Sequence, residues 1–206
     1  NRNLGRRSLC VTDPREMEMV WSLRKAGLSL LTGRKGDSKP VPGLEDVAVL
    51  PRQLPDFARA VKDMMARLRL EGSFYGHAGA GLLHIRPIIN CRNSDDIARY
   101  RKLAEEVFAF ATELRASIAG EHGVGIARTE FMEMHLGKVL CNAMCEVKRV
   151  FDPNNLLNPG KIVPLAEYPY RIDTHWWMGA GYSLNVPFEP VLRYRSKDES
   201  FVANLE

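Results

Sequence analysis

The chain has 206 residues, 45% hydrophobic and 26% charged, with 29 Lys and Arg against 25 Asp and Glu for a net charge of +4. That length supports one compact domain, or a domain with an appendage, of soluble globular composition. The charge is modest and dispersed, which excludes the concentrated basic face of a nucleic-acid binder, and no apolar run approaches the ~20 residues of a transmembrane span.

Taken in chain order, the segment RRSLCVTD predicts a short strand running into a helix cap at Asp13. Asp13-Pro14 opens a helix, with Asp as N-cap and Pro as first helical residue. Met17, Val20, Trp21, Ala26, Leu28 and Leu31 carry its apolar side to Gly33. A polar loop, GRKGDSKPVPG, precedes a predicted strand over 44–50. A second helix starts near Leu54-Pro55-Asp56, buries Phe57, Val61, Met64, Met65 and Leu68, and ends at Gly72. SFYGHAGAGLLHIRPII reads as two strands joined by a tight turn. Ser94-Asp95 caps a long helix with Ile97, Leu103, Val107, Phe110 and Leu114 on its apolar side, stopping at Gly120. Another helix over 130–150 ends in the terminator DPNNLLNPG. From Pro164 the chain is irregular and aromatic, a wrapping tail or linker. The adjacent hairpin favours an α+β sandwich over a doubly wound parallel sheet.

The chemistry concentrates in two glycine-bracketed stretches. In GHAGAGLLHIRP, a turn centred on Ala80-Gly81 sets His77 directly opposite His84 on one face of the hairpin, their Cβ atoms about 5 Å apart. Two imidazoles so placed reach one metal ion if a third ligand comes from elsewhere; otherwise they are a packed, hydrogen-bonded pair. The second stretch, GEHGVG at the end of the long helix, offers Glu121 to complete a His-His-Glu set and leaves His122 as a free base, although a polar glycine-rich loop is also an ordinary helix terminus. Cys10, Cys91, Cys141 and Cys145 show neither metal nor disulfide spacing and fit a reducing, cytoplasmic setting. The chain begins without Met and ends in mid-pattern, as a piece of a longer protein would.

GHAGAGLLH, then GEHGVGIAR, then FDPNNLLNPGKIV resembles the C-terminal domain of FAD-linked oxidases of the vanillyl-alcohol oxidase type, over about residues 10–165. That branch includes glycolate oxidase, D-lactate dehydrogenases and D-2-hydroxyglutarate dehydrogenase. LHIRP and LRKAGLSLL…KPVPGLEDVAV look most like bacterial fusions of such a dehydrogenase with an iron–sulfur module. The resemblance implies a ferredoxin-like cap domain over 1–163, with terminal helices returning to a flavin domain. It makes 164–206 a connector toward a module that would hold the iron–sulfur clusters. It also implies a divalent ion, usually zinc, on His77, His84 and Glu121, and His122 as catalytic base. Arg24, after Trp21, and Lys39 would bind substrate carboxylate, with Arg86 as a further candidate. Asn158 and Lys161 would approach the flavin. Where the commoner first motif carries aspartate and asparagine between its histidines, this chain has Ala80 and Leu82, which removes two polar groups but no ligand.

The implied reaction is oxidation of a small 2-hydroxy acid by hydride transfer to FAD, with lactate, 2-hydroxyglutarate and glycolate all within the class. No pyrophosphate cradle occurs in the sequence, so the flavin site is expected mostly on an N-terminal domain outside it, and the fragment alone is expected to be inactive. An iron–sulfur module would direct electrons to a quinone or carrier, with peripheral contact at the inner membrane. The rival reading is a non-catalytic ferredoxin-like module that binds a metal or small ligand by itself.

Overall fold

The structure, a computed structural model, describes residues 9–163, 165 and 170–182, and divides into two compact units, residues 1–35 and 36–206. In the first unit, α1 spans Pro14–Thr32. The Asp13 carboxylate accepts from the backbone N–H groups of Arg15 (3.0 Å) and Glu16 (3.1 Å), satisfying two of the donors a helix start leaves open. Residues 9–13 form no strand, contrary to expectation, and residues 6–8 of that prediction lie outside the described residues. Met17, Val20 and Trp21 of the predicted apolar stripe are exposed.

In the second unit, β1 (Ser38–Pro40), β2 (Val47–Ala48), β3 (Gly72–His77) and β4 (Leu82–Asn90) form an antiparallel sheet around β4. Leu82 and Leu83 pair with both β2 and β3, which therefore flank that end of β4, while β1 pairs with its far end. Period-two alternation sends Leu83, Ile85 and Ile89 to one face, where α2 (Leu54–Arg67) and α3 (Ser94–Glu113) cover them. Phe57, Val61 and Met65 recur every four residues on α2, and Tyr100, Leu103, Ala104, Val107, Phe108 and Ala111 fill the inner side of α3. Each large side chain removed from water here contributes roughly 1.5–3 kcal/mol. The α+β class, an antiparallel sheet with helices on one face, is as expected.

Several boundaries differ from the sequence reading. The α3 cap is Asn93, whose side chain accepts from Asp95 N–H (2.9 Å) and Asp96 N–H (3.1 Å). The helix ends at Glu113 and not at Gly120, because Arg115 turns into the left-handed region (φ 54°). The freed chain then runs to the sheet, where Ser117 and Ala48 exchange backbone hydrogen bonds of 2.9 and 2.8 Å. The predicted strand 44–50 is regular only at Val47–Ala48, and the loop assigned to 33–43 holds β1. The predicted helix 130–150 is two, α4 (Met132–Leu136) and α5 (Lys138–Phe151), separated by Gly137 at φ 81°. Within the supposedly irregular tail lies α6 (Ile172–Trp176), anchored where Glu130 accepts the Ile172 N–H (2.6 Å) and pairs with Arg101 of α3. No helix among the described residues is long and apolar enough to cross a membrane.

Candidate functional site

The face of β4 opposite the helices carries His84 and Arg86, and the neighbouring β3 carries Tyr75 and His77 on that same face. The turn between the strands is a single 3-10 turn, Ala78–Ala80, closed by Gly81 at φ 71°. A Cβ at Gly81 would stand 1.9 Å from the Val49 carbonyl oxygen, so only glycine fits there. This turn shifts the register by two residues from the predicted one: His77 faces Leu82, and His84 faces Tyr75. An even shift preserves the face. The histidines are diagonal neighbours with ring centroids 5.7 Å apart.

The second stretch arrives from a loop seven residues beyond α3, held by one dipeptide. Asp46 is fully buried at φ 83°; its carboxylate accepts from Glu121 N–H (2.8 and 3.0 Å) and His122 N–H (2.8 Å), and its carbonyl from Gly120 N–H (2.9 Å). Gly120 lies so close to the sheet that a Cβ there would stand 2.5 Å from Leu82 Cδ1. The Glu121 carboxylate thereby meets both histidines, His77 Nε2 at 3.5 Å and His84 Nε2 at 3.6 Å. Those separations are long for hydrogen bonds. They match the ~3.3 Å between neighbouring donors in a tetrahedral site with bonds of about 2.0–2.1 Å. His122 stacks on His84 at 5.2 Å and 12°.

His84 is the buried member, 2% exposed, while His77, Glu121 and His122 have side chains 44, 45 and 43% exposed. Burial, and then the adjacent His122, lowers the His84 pKa, against the opposing pull of Glu45, Glu121 and Asp46. Its imidazole is therefore held toward the neutral form that a metal requires. His84 Nδ1 is buried without a hydrogen-bond partner among the described residues. Three donor sets lie within 4.8 Å: His77-His84-Glu121, Glu45-His84-His122 and Asp46-Glu121-His122. In the last, both Asp46 oxygens already accept backbone N–H groups, and in the second Glu45 Oε2 is paired with Arg86 Nη2 at 2.7 Å. His77-His84-Glu121, whose carboxylate carries neither a backbone clamp nor an arginine partner among the described residues, fits a divalent cation.

The other predicted site residues fall elsewhere. Lys39 pairs with Ile89, on the helix-covered side of the sheet and about 17 Å along β4 from His84 at ~3.4 Å per residue, so it does not join the cluster. Arg86 lies on the correct face, but its guanidinium is turned onto buried Glu45 and is not free for a substrate. Arg24 is on α1, in the first unit, with its guanidinium 5.8 Å from the Trp21 ring centroid. Asn158 (φ 47°) and Lys161 are exposed on the loop after α5, their side chains 3.5 Å apart. The same loop is built on Asp152, whose carboxylate accepts from Leu156 N–H (2.9 Å) and Leu157 N–H (2.8 Å) and pairs with Lys148. Glu45, Asp46 and Arg128 were missed. Arg128 is buried, donating to the carbonyls of Gly123 (2.6 Å) and Glu45 (2.7 Å), and so sews the second loop to the dipeptide. The sequence signal for all three was faint: two acids flanked by buried Leu44 and Val47, and an arginine after GVGIA.

An α+β domain that gathers two histidines, a glutamate and a further histidine at one end of a hairpin is thus what the fold and the site define. Residues 1–162 match the family model described as FAD linked oxidases, C-terminal domain, and the chain belongs to that family. It is 32% identical over 151 residues to a D-2-hydroxyglutarate dehydrogenase of Haemophilus influenzae, covering 73% of this chain and 15% of that protein. It is 37% identical over 139 residues to glycolate oxidase subunit GlcD of Bacillus subtilis (68% of this chain, 29% of that one). With a D-lactate dehydrogenase of Anaerostipes hadrus it shares 37% over 121 residues (57% and 25%). The chain therefore spans less than a third of each of these relatives. Membership of an FAD-linked family implies FAD as the cofactor.

Proposed function

We propose that the chain is the substrate-binding cap domain of a flavin-dependent D-2-hydroxyacid dehydrogenase, with residues 1–163 as the cap and 164–206 leading to a further, electron-accepting module. The convergence of His77, His84 and Glu121 beside His122 carries this reading. His77, His84 and Glu121 would hold a divalent ion, with zinc the first expectation from two nitrogen donors and one oxygen. When bound, the ion supplies positive charge that acidifies a nearby hydroxyl, and FAD supplies the two-electron acceptor.

The chain's own residues do the rest. His122, half-exposed beside the donor set, takes the hydroxyl proton of the 2-hydroxy acid as general base. Arg24 offers a planar, permanently charged fork to the substrate carboxylate. Asn158 and Lys161, exposed on the Asp152 loop, would approach the flavin. The flavin would be bound mostly by an N-terminal domain, so the chain by itself would be inactive.

The test is turnover by the full-length flavoprotein with D-lactate, D-2-hydroxyglutarate and glycolate, using an artificial electron acceptor. Turnover of one of them, reduced at least about 100-fold by His122→Ala, supports the proposal. Absence of turnover with all three, or full activity of the variant, rejects it. A protein that holds its metal but oxidises none of them would be the non-catalytic module instead.

A further inference from the structure

We infer that Glu45 is a positioning residue that fixes which nitrogen of His122 is free to accept a proton; this rests on the proposed role of His122 as base. The dipeptide Glu45-Asp46 grips His122 at two points. Asp46 accepts its backbone N–H at 2.8 Å, and Glu45 Oε1 lies 3.4 Å from its Nδ1. The ring is also stacked on His84, so its plane is set on one side by that imidazole and on one edge by the carboxylate.

The burial of Glu45 calls for a reason. The residue is 7% exposed, and a carboxylate taken from water costs several kcal/mol unless it is paired. Arg86 Nη2 at 2.7 Å provides the charge partner through Oε2, and Arg128 holds the Glu45 carbonyl at 2.7 Å. Oε1 is left directed to His122. A purely structural ion pair would need only Arg86. The remaining oxygen meets the one nitrogen whose protonation would decide the tautomer: a carboxylate accepts, so Nδ1 carries the hydrogen and Nε2 is the open acceptor. Nε2 makes no hydrogen bond among the described residues. The contact at 3.4 Å is longer than a good hydrogen bond, and such contacts commonly shorten when substrate binds. Arg86, read from sequence as a substrate anchor, is instead the charge partner that holds Glu45 in place.

The experiment uses the full-length holoenzyme, its Glu45→Gln variant, and a Glu45→Leu/Arg86→Met double variant that removes both buried charges together so that neither is stranded. Metal content, KM and kcat are measured on all three, with the 15N shifts of His122 in histidine-labelled protein. In the parent, the inference predicts an Nδ1-protonated tautomer. In the double variant, kcat falls about 10- to 100-fold with metal content and KM held, and the tautomers mix. Glu45→Gln, which keeps an acceptor oxygen, retains more of kcat than the double variant. Unchanged kcat and tautomer in the metal-loaded double variant would overturn the inference while leaving the base role of His122 intact. A parent enzyme whose turnover survives His122→Ala would overturn both.

Discussion

Asp46→Ala should loosen the second loop and lose the donor set with it. The Asp46 carboxylate serves two backbone donors, Glu121 N–H and His122 N–H, through three contacts of 2.8–3.0 Å, in a position without solvent access. Removing the acceptor leaves two part-buried N–H groups without their partner, at ~1–3 kcal/mol each with water able to replace some of it, partly offset because the buried charge goes too. Alanine also tolerates φ 83° poorly, adding about 1 kcal/mol. The net expectation is about 3 kcal/mol, or a fall in Tm of roughly 10 °C for a unit of this size. Urea unfolding at pH 7 measures it as a lower midpoint at unchanged slope. Asp46→Asn, which tolerates the left-handed backbone and keeps one acceptor oxygen, should lose about half as much. Midpoints for both variants indistinguishable from the parent would refute the idea that this carboxylate holds Glu121 and His122 in place.

Two further outcomes follow from the geometry. Gly81→Ala forces a Cβ against the Val49 carbonyl and should cost at least about 2 kcal/mol, with metal affinity falling as the hairpin shifts; thermal melts and zinc calorimetry check both effects. The Asp152 pKa is lowered to about 2, chiefly by the Lys148 ammonium and further by the Leu156 and Leu157 N–H groups. A lowered carboxyl pKa stabilises the fold above the unfolded value of 3.8 and stops doing so as pH falls through about 2. The stability deficit of Asp152→Asn should therefore be constant above about pH 5 and vanish toward pH 2 in acid-titration melts; a deficit independent of pH across that window contradicts the assignment.

Much of this was legible in the sequence because periodicity decides faces. The four-residue recurrence of Phe57, Val61 and Met65 placed α2, and period two placed His77 and His84 together even though the turn shifted their register. Even numbers are forgiving in a strand. The third donor, Glu121, was legible from its glycine bracket, but not the means of delivering it. Asp46 and Glu121 lie 75 residues apart, and adjacent acids normally mark a solvated turn, so nothing local announced a buried clamp. Arg86 and Lys39 illustrate the same limit. Both are cations near the hairpin in sequence, yet strand pairing sets Lys39 on the helix-covered side, and the buried Glu45 claims Arg86. Helix ends were misjudged where a non-glycine residue, Arg115, adopts the left-handed conformation that sequence assigns to glycine.

The most direct measurement is the metal content of the purified full-length protein and of its His77→Ala/His84→Ala variant, determined by mass spectrometry after exchange into metal-free buffer. About one divalent ion per chain is expected in the parent and none in the variant, with the variant still folded. A folded parent that takes up no zinc or manganese, or a variant that retains as much as the parent, would contradict the central claim that His77, His84 and Glu121 form a metal site.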